Sequence, residues 1–486
     1  MPHGLSKSRL MMFRQCPKRL WLYAHRRDVQ EFSEETETRF QIGFQVGALA
    51  QTLHPNGILI DTADAAEALE WTQQALNAHP DRPLFEAAFA RDDVLVRADV
   101  VLPEDGGYRL REVKASTSVK PEHYPDGAIQ AWVVQGSMAL TGVEIAHVDN
   151  TFVYPGGGDY RGLLKTQALD VDLVDLLSQV PAWIAQARAT LAGPEPDIAP
   201  GDHCTTPYEC PFQHHCKADE VPPDYPLNCL PRLQGQRFTD LVEQGITDVR
   251  AIPSDYPLTR RQAWVARVIQ SGQAERDPEA ARRLQSFGYP RYYLDFETFQ
   301  VAVPLWPGTR PYQQLPVQWS CHVETAGQAL RHAQFIAAGL DDPRRAFAEQ
   351  LLATVGETGP VFVYNRSFEV GRLQELAQSN PDLAPGLMAL IGRVVDLKTL
   401  TEQFYCHPAM KGRWSLKAVL PTVAPELAYD DLAIGDGAAA SEAWQEIYHP
   451  ETSEARRATL YTELSQYCAR DTLALVRLAH FLSAPA

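Results

Sequence analysis

The stretch Arg291-Tyr-Tyr-Leu-Asp-Phe-Glu-Thr298 decides how the C-terminal part of this chain is read. Its aromatic and apolar residues predict a buried strand. Asp295 and Glu297 stand two apart, and on a strand that spacing turns both side chains to one face. Two carboxylates side by side repel unless a cation lies between them, so the pair predicts a metal site. Further along, Val361-Phe-Val-Tyr-Asn-Arg-Ser-Phe-Glu369 reads as an apolar strand, a polar turn and a helix start, with Asn365 as the cap. Val394-Val395-Asp396 reads as a short strand ending in an acid. Tyr467-Cys-Ala-Arg-Asp471 falls inside an amphipathic stretch, Ala455 to Leu482. Tyr467 and Asp471 are four apart there and share one helix face.

This order of motifs (Asp-x-Glu on a strand, Asn-x-x-Phe-acid, then Tyr-x-x-x-Asp on a helix) resembles the DnaQ-like (DEDD) exonucleases, in the subgroup that uses Tyr rather than His. The resemblance covers about residues 289–483. It implies an RNase H-like domain over residues 286–486, with two divalent cations, Mg²⁺ or Mn²⁺, held by Asp295, Glu297, Glu369 and Asp471. Such a pair clamps a scissile phosphate and stabilises the attacking and leaving oxygens. Tyr467 would orient the attacking water; a phenol with an ordinary pKa near 10 leaves the deprotonation to the metals. Glu369 stands where the family usually has Asp, and Asp396 is the rival fourth carboxylate.

Toward the N-terminus, Asp93-Val-Leu-Val-Arg-Ala-Asp-Val-Val-Leu102 alternates like a strand and carries Asp99. A turn at Glu104-Asp-Gly-Gly107 leads into Tyr108-Arg-Leu-Arg-Glu-Val-Lys-Ala-Ser116, so a hairpin is predicted. Glu112 and Lys114 face the same way, and Asp99 on the neighbouring strand can join them. Read alone, this is also an ordinary surface hairpin with an ion pair. An acid followed by Glu-x-Lys on the next strand resembles the PD-(D/E)XK nuclease core. The fuller pattern resembles the RecB-like nucleases, including their CRISPR adaptation branch. That resemblance implies a restriction-endonuclease-like domain over residues 1–220, with His54, Asp99 and Glu112 as metal ligands. It gives His54 to the helix around Gly47–His54, and Lys114 to the phosphate or the attacking water. Gln130 falls on the following helix and Glu86 on an earlier strand; Val134 stands where the family often has Tyr.

The chain has eight cysteines. Cys204, Cys210, Cys216 and Cys229 crowd one short stretch, while Cys16 stands far upstream, an uneven spacing that points to metal chemistry. One N-terminal and three C-terminal cysteines resemble the arrangement by which iron–sulfur RecB-like nucleases pin their first helix to their last segment. The resemblance implies a 4Fe–4S cluster on Cys16, Cys204, Cys210 and Cys216, although the first gap among the last three is longer than the family's usual one. Zn²⁺ is the rival, with His203, His214 and His215 nearby, and free buried thiols are a third reading. Cys229 is a substitute ligand; Cys321, Cys406 and Cys468 read as packing residues.

Between these regions a Pro-rich break, Val221-Pro-Pro-Asp-Tyr-Pro226, precedes a helical linker over residues 221–285. Within it, Leu230 to Pro253 resembles a helix-hairpin-helix, a unit that presents backbone amides to phosphates. The expected fold class is therefore α/β: a restriction-endonuclease-like N-terminal domain, a helical linker and an RNase H-like C-terminal domain. The net charge of -17 argues against coating DNA by bulk electrostatics, but not against local binding where metal cations reverse the field. Basic residues do crowd at Lys7, Arg9, Arg14, Lys18, Arg19, Arg26 and Arg27, and again at Arg260, Arg261, Arg267, Arg282 and Arg283. No apolar run is long enough for a bilayer, and Met1 to Leu22 lacks an apolar core and a cleavage site. A cytoplasmic protein without a signal peptide or membrane partner is expected.

The whole chain resembles a bacterial family that joins a RecB-like region to a DnaQ-like exonuclease. The expected activity is a metal-dependent nuclease on DNA, single-stranded or with an accessible 3′ end, in repair, defence or nucleic-acid processing. RNA is the second substrate class. Two alternatives stay open: a single exonuclease with an inactive iron–sulfur DNA-binding N-terminal region, and a non-enzymatic nucleic-acid-binding scaffold.

Overall fold

The computed structural model describes residues 4–218, 221–449 and 451–485. The structure is mixed α/β and divides into two compact units. One comprises Met1–Glu220 with Val301–Gln313, the other Val221–Gln300 with Gln314–Ala486.

Among the described residues, the first unit has one seven-stranded sheet. Its strands are β1 (Leu5–Ser6), β2 (Ile58–Leu59), β3 (Leu84–Arg91), β4 (Val94–Glu104), β5 (Gly107–Lys114), β6 (Leu140–Val148) and β7 (Leu164–Ala168). They run in the order β2-β3-β4-β5-β6-β7, with β1 pairing beside β4. Its helices are α1 (Lys7–Gln15), α2 (Pro17–His25), α3 (Glu34–Thr52), α4 (Ala65–Ala78), α5 (His123–Val134), α6 (Val174–Ala192) and the single turn α7 (Gln213–Cys216). Val94, Val96, Ala98 and Val100 alternate into the core along β4, the period-2 pattern of a half-buried strand. Nearly every residue of α5 is buried, because the helix lies between the sheet and α6. Asp64 caps α4 through Oδ1, which accepts from Ala66 N at 2.8 Å and Glu67 N at 2.9 Å.

The second unit has a five-stranded sheet in the order β11-β10-β9-β12-β13 and a two-stranded one, again among the described residues. The strands are β8 (Glu275–Arg276), β9 (Arg291–Phe299), β10 (Leu315–Glu324), β11 (Arg331–Ile336), β12 (Val361–Val363), β13 (Val394–Asp396) and β14 (Tyr405–Cys406). β9, β10 and β11 form an antiparallel meander; β12 and β13 continue the sheet in parallel with β9. The helices are α8 (Gln236–Glu243), α9 (Arg260–Ser271), α10 (Glu279–Gln285), α11 (Arg344–Val355), α12 (Arg366–Ser379), α13 (Ala384–Ile391), α14 (Leu397–Phe404), α15 (Leu416–Val423), α16 (Gly437–Tyr448) and α17 (Glu454–Ser483). The turn into β12 depends on Gly359, which has positive φ; a side chain there would collide with the Pro290 carbonyl at the start of β9.

Residues 221–285 do not stand apart as a linker. Leu227, Leu241, Val249, Val265, Ile269 and Leu284 are buried in the second unit's core with Tyr293 and Phe362. The helix-hairpin-helix that this segment faintly resembles, set against a plain packing linker, is also absent from the described residues. After α8 and Gly245 the chain makes only a single 3₁₀ turn, Val249–Ala251, capped by Asp248, before Pro253 interrupts it. No helix among the described residues is long and apolar enough to cross a membrane.

Candidate functional site

In the second unit, β9 and α17 build one acidic site. Asp295 and Glu297 from β9 and Cys468 from α17 each offer a ligand atom within 4.8 Å of the others. Cys468, expected to be a packing residue, lies with its Sγ 4.0 Å from Asp295 Oδ2. Asp471 follows on the same helix, and Glu369 enters from the first turn of α12. Glu297, Glu369 and Asp471 are buried and Asp295 partly so. Asn365 takes the N-cap position of α12, but its side chain makes no capping bond and accepts instead from Ser367 Oγ at 2.8 Å.

The electrostatics follow from that crowding. Desolvation, and then the charges of Asp471, Glu297 and Glu369, hold the Asp295 carboxyl far above the usual carboxylate range. Burial and Asp471 do the same to Glu297. Burial pushes Glu369 up to about 8, and its Oε2 has no hydrogen-bond partner. Asp471 rises to about 6, burial outweighing the hydrogen bonds from Tyr429 and Tyr467. Lys417, whose field reaches Asp471, is ion-paired elsewhere, with Asp436 at 3.2 Å. Such a set ionises together only when a cation joins it. Tyr467 is driven far above its ordinary value by burial and by Asp471, Glu297 and Asp295. It is therefore a neutral hydrogen-bond donor in this site.

Asp396 does not enter the set. Its Oδ1 accepts from Lys398 N at 2.9 Å and Thr399 N at 3.2 Å, and its Oδ2 from Thr399 Oγ1 at 3.0 Å and Arg366 N at 3.4 Å. It is the N-cap of α14 and a tie to the start of α12. Asp396→Ala is expected to cost about 1–2 kcal/mol, the usual value of such a cap, which thermal unfolding would measure; Asp396→Asn should keep most of it.

Sequence reasoning missed Tyr429 and a polar network behind the site. Ser320 Oγ meets His332 Nε2 at 2.8 Å and Thr472 Oγ1 at 2.7 Å, and His322 Nδ1 meets the same Thr472 hydroxyl at 2.8 Å. Burial, with His332 adding a little, pulls His322 down to about 4, so it is a neutral member of the network. The pairing of Ser320 with Asp295 across β10 and β9 is a sheet-register fact with no local sequence signal.

The first unit brings a second charged set together. Glu112 Oε1 accepts from Lys7 Nζ at 2.7 Å and Lys114 Nζ at 2.8 Å, and Gln130 Nε2 donates to Oε2. Asp126 accepts from Lys114 at 2.5 Å and lies 3.4 Å from Lys7. Asp99 Oδ2 accepts from Val113 N at 2.7 Å; burial and Glu112 push its carboxyl to about 8. Glu86, held at positive φ on β3, feels both Glu112 and Lys7. His54 does not join. The helix α3 stops at Thr52, and His54 Nε2 faces Arg111 Nη1 at 3.2 Å. Arg111 also reaches Glu144 at 2.6 Å and follows the alternation of β5 to the face opposite Glu112.

The cysteines Cys16, Cys204, Cys210 and Cys216 line one small cavity with Arg19 and His203. Cys16 caps α2, and Gln15 beside it donates to the carbonyls of His203 at 2.7 Å and Tyr208 at 2.6 Å. Trp21 Nε1 donates to Gly193 O at 3.0 Å, and Lys18 pairs with Glu195 at 2.9 Å. The N-terminal basic residues are thus individually engaged and form no stripe: Arg14 lies over the Trp183 ring at 3.9 Å, and Arg19 sits among the thiols with its Nε unpartnered. Cys229 lies in the second unit's core.

Residues 292–415 match a family model described as a domain of unknown function (DUF2779). That span carries Asp295, Glu297 and Glu369 and ends before Tyr467 and Asp471. The chain is also similar to "Uncharacterized protein UU173" of Ureaplasma parvum serovar 3, 23% identical over 40% of this chain and 31% of that protein. A second relative, "Uncharacterized protein MG366 homolog" of Mycoplasma pneumoniae, is 25% identical over 40% of this chain and 32% of its own length. The chain spans about a third of the length of these curated relatives.

Proposed function

We propose that this chain is a cytoplasmic metal-dependent nuclease, with a 3′–5′ exonuclease site in the second unit and a second nuclease site in the first. The observation that carries this reading is that Asp295 and Glu297 on β9 lie within metal-ligand reach of each other beside α17, that the charges of Asp471 and Glu369 act on Asp295, and that no counter-cation pairs with the four among the described residues. The sheet order, an antiparallel three-strand meander extended by two parallel strands, supports an RNase H-like fold. The oxygen donors of Asp295, Glu297, Glu369 and Asp471, with Glu369 Oε2 left without a partner, would suit Mg²⁺ or Mn²⁺, beside the Cys468 thiol. Bound there, such ions supply Lewis-acid stabilisation of a phosphodiester and an activated water. Asp295 and Glu297 fix the position of the site on a central strand. Tyr467 donates its phenolic hydrogen and orients whatever oxygen occupies the site.

In the first unit, Asp99 and Glu112 are the acids that would hold a divalent ion, with Lys114 beside them and Gln130 fixing Glu112, which supports a restriction-endonuclease-like reading. The four cysteines lining one cavity would hold a 4Fe–4S cluster, with Zn²⁺ as the alternative. Arg19 offers such an anionic cluster a cation and an open N–H. The cluster would be a structural staple. A second reading, in which the first unit holds DNA without cutting it, is favoured by one observation: His54 is turned away from the acids.

Labelled DNA and RNA strands, incubated with Mg²⁺, Mn²⁺ or EDTA, test the activity. The expected result is metal-dependent shortening of DNA from the 3′ end, lost in Asp295→Ala. Residual internal cutting that disappears in Lys114→Ala marks a second active site; no effect of Lys114→Ala favours the holding role. Degradation that persists in EDTA defeats the proposal.

A further inference from the structure

Among the residues around Glu112, Lys7 belongs to no motif, yet it is built into the site. Its side chain is 19% exposed, and it reaches Glu112 Oε1 at 2.7 Å and Asp126 Oδ1 at 3.4 Å across more than a hundred residues of chain. Lys114 contacts the same two carboxylates, so the four side chains close a ring of alternating charge. The placement of Lys7 is not left to a flexible tail. Lys7 is the first residue of α1, whose nine residues span about 13 Å. Leu10 fixes the middle of that helix in the core, and Gln15 ties its far end to the cysteine-bearing loop.

We propose that Lys7 is a positioning residue of the first unit's site, which holds Glu112 in place and competes by charge with the divalent ion that Glu112 and Asp99 would bind. This rests on the metal-site reading of the first unit. A fixed ammonium on a ligand carboxylate weakens that ligand's hold on a second cation and keeps Glu112 and Asp126 from rotating away. The consequence is a paired signature. Removing the charge strengthens metal binding and slows cutting, whereas mere structural damage weakens both.

The test compares Lys7→Met and Lys7→Arg in full-length protein carrying Asp295→Asn, which suppresses the other site. Titration calorimetry with Mn²⁺ should show about tenfold tighter binding for Lys7→Met, the low end of coupling between close charges, with Lys7→Arg near the parent. Single-strand cleavage should fall in Lys7→Met and recover in Lys7→Arg. Unchanged or weaker Mn²⁺ binding by Lys7→Met, while Glu112→Gln still abolishes a binding step, overturns the role of Lys7 alone. If Glu112→Gln leaves Mn²⁺ binding untouched, the metal-site reading fails and the proposal with it. Should Lys7→Met misfold, Lys7→Gln, similar in length and uncharged, carries the same expectation.

Discussion

Asp295→Asn should abolish exonuclease activity and, in EDTA, make the protein more heat-stable. Loss of even a supporting group at a metal site commonly costs about 10–100-fold, and loss of a ligand carboxylate should exceed that. The stability gain has a separate origin. Asp471, Glu297 and Glu369 all act on Asp295; burial and Asp471 raise Glu297, and burial chiefly raises Glu369. Without a cation Asp295 must take up a proton to fold at neutral pH, and an amide of the same shape spares that uptake. Relief of about 1 kcal/mol in a unit of this size corresponds to roughly 2–4 °C in Tm. Excess Mg²⁺ should reverse the ranking, because the ion stabilises only the form that binds it. Differential scanning calorimetry with and without Mg²⁺ reads both halves. A mutant less stable than the parent in EDTA would mean that the acids are satisfied without metal.

With the proposed cluster in place, Cys16→Ser should strip its iron and loosen the first unit. Cys16 joins α1 to α2, and its partners Cys204, Cys210 and Cys216 lie near the other end of that unit's chain. A metal centre closing so long a loop contributes folding free energy directly; structural zinc sites, for scale, are worth about 10–16 kcal/mol at neutral pH. Iron analysis should fall from about four atoms per chain to under one, with the visible absorption of a thiolate-bound cluster lost. Limited proteolysis should open the 195–218 segment while leaving α17 resistant. Zinc at one atom per chain in the parent would replace the cluster with the rival ion; no metal at all would leave four buried thiols and defeat the staple.

The parts legible from sequence were those with short-range signals. Asp295 and Glu297 were readable because β9 enforces period two, and Tyr467 with Asp471 because α17 enforces a four-residue repeat. Cys468 lay inside the same quoted motif, but a cysteine on a helix face looks identical whether it packs or faces a carboxylate. Asp396, weighed as the rival to Glu369, could not be placed from sequence: an acid after an apolar strand serves equally as a ligand or as a helix cap, and the bonds from Lys398 N and Thr399 N make it a cap. Tyr429, Lys7 and Asp126 were invisible as site members because register and long-range packing bring them in. His54 failed because α3 ends two residues early, which turned a presumed helical ligand toward Arg111.

The first unit is discontinuous in the chain: Val301–Gln313 belongs to it, and Ala302 lies in one of its apolar clusters with Val46, Leu49, Val148 and Leu163. During synthesis, at about 5–20 residues per second, the ribosome must therefore deliver Val221–Gln300 before the last piece of the earlier unit exists. Until then the nascent polypeptide carries an unfinished apolar patch, a natural binding point for a holdase chaperone. A truncation at Glu220 would make that transient condition permanent.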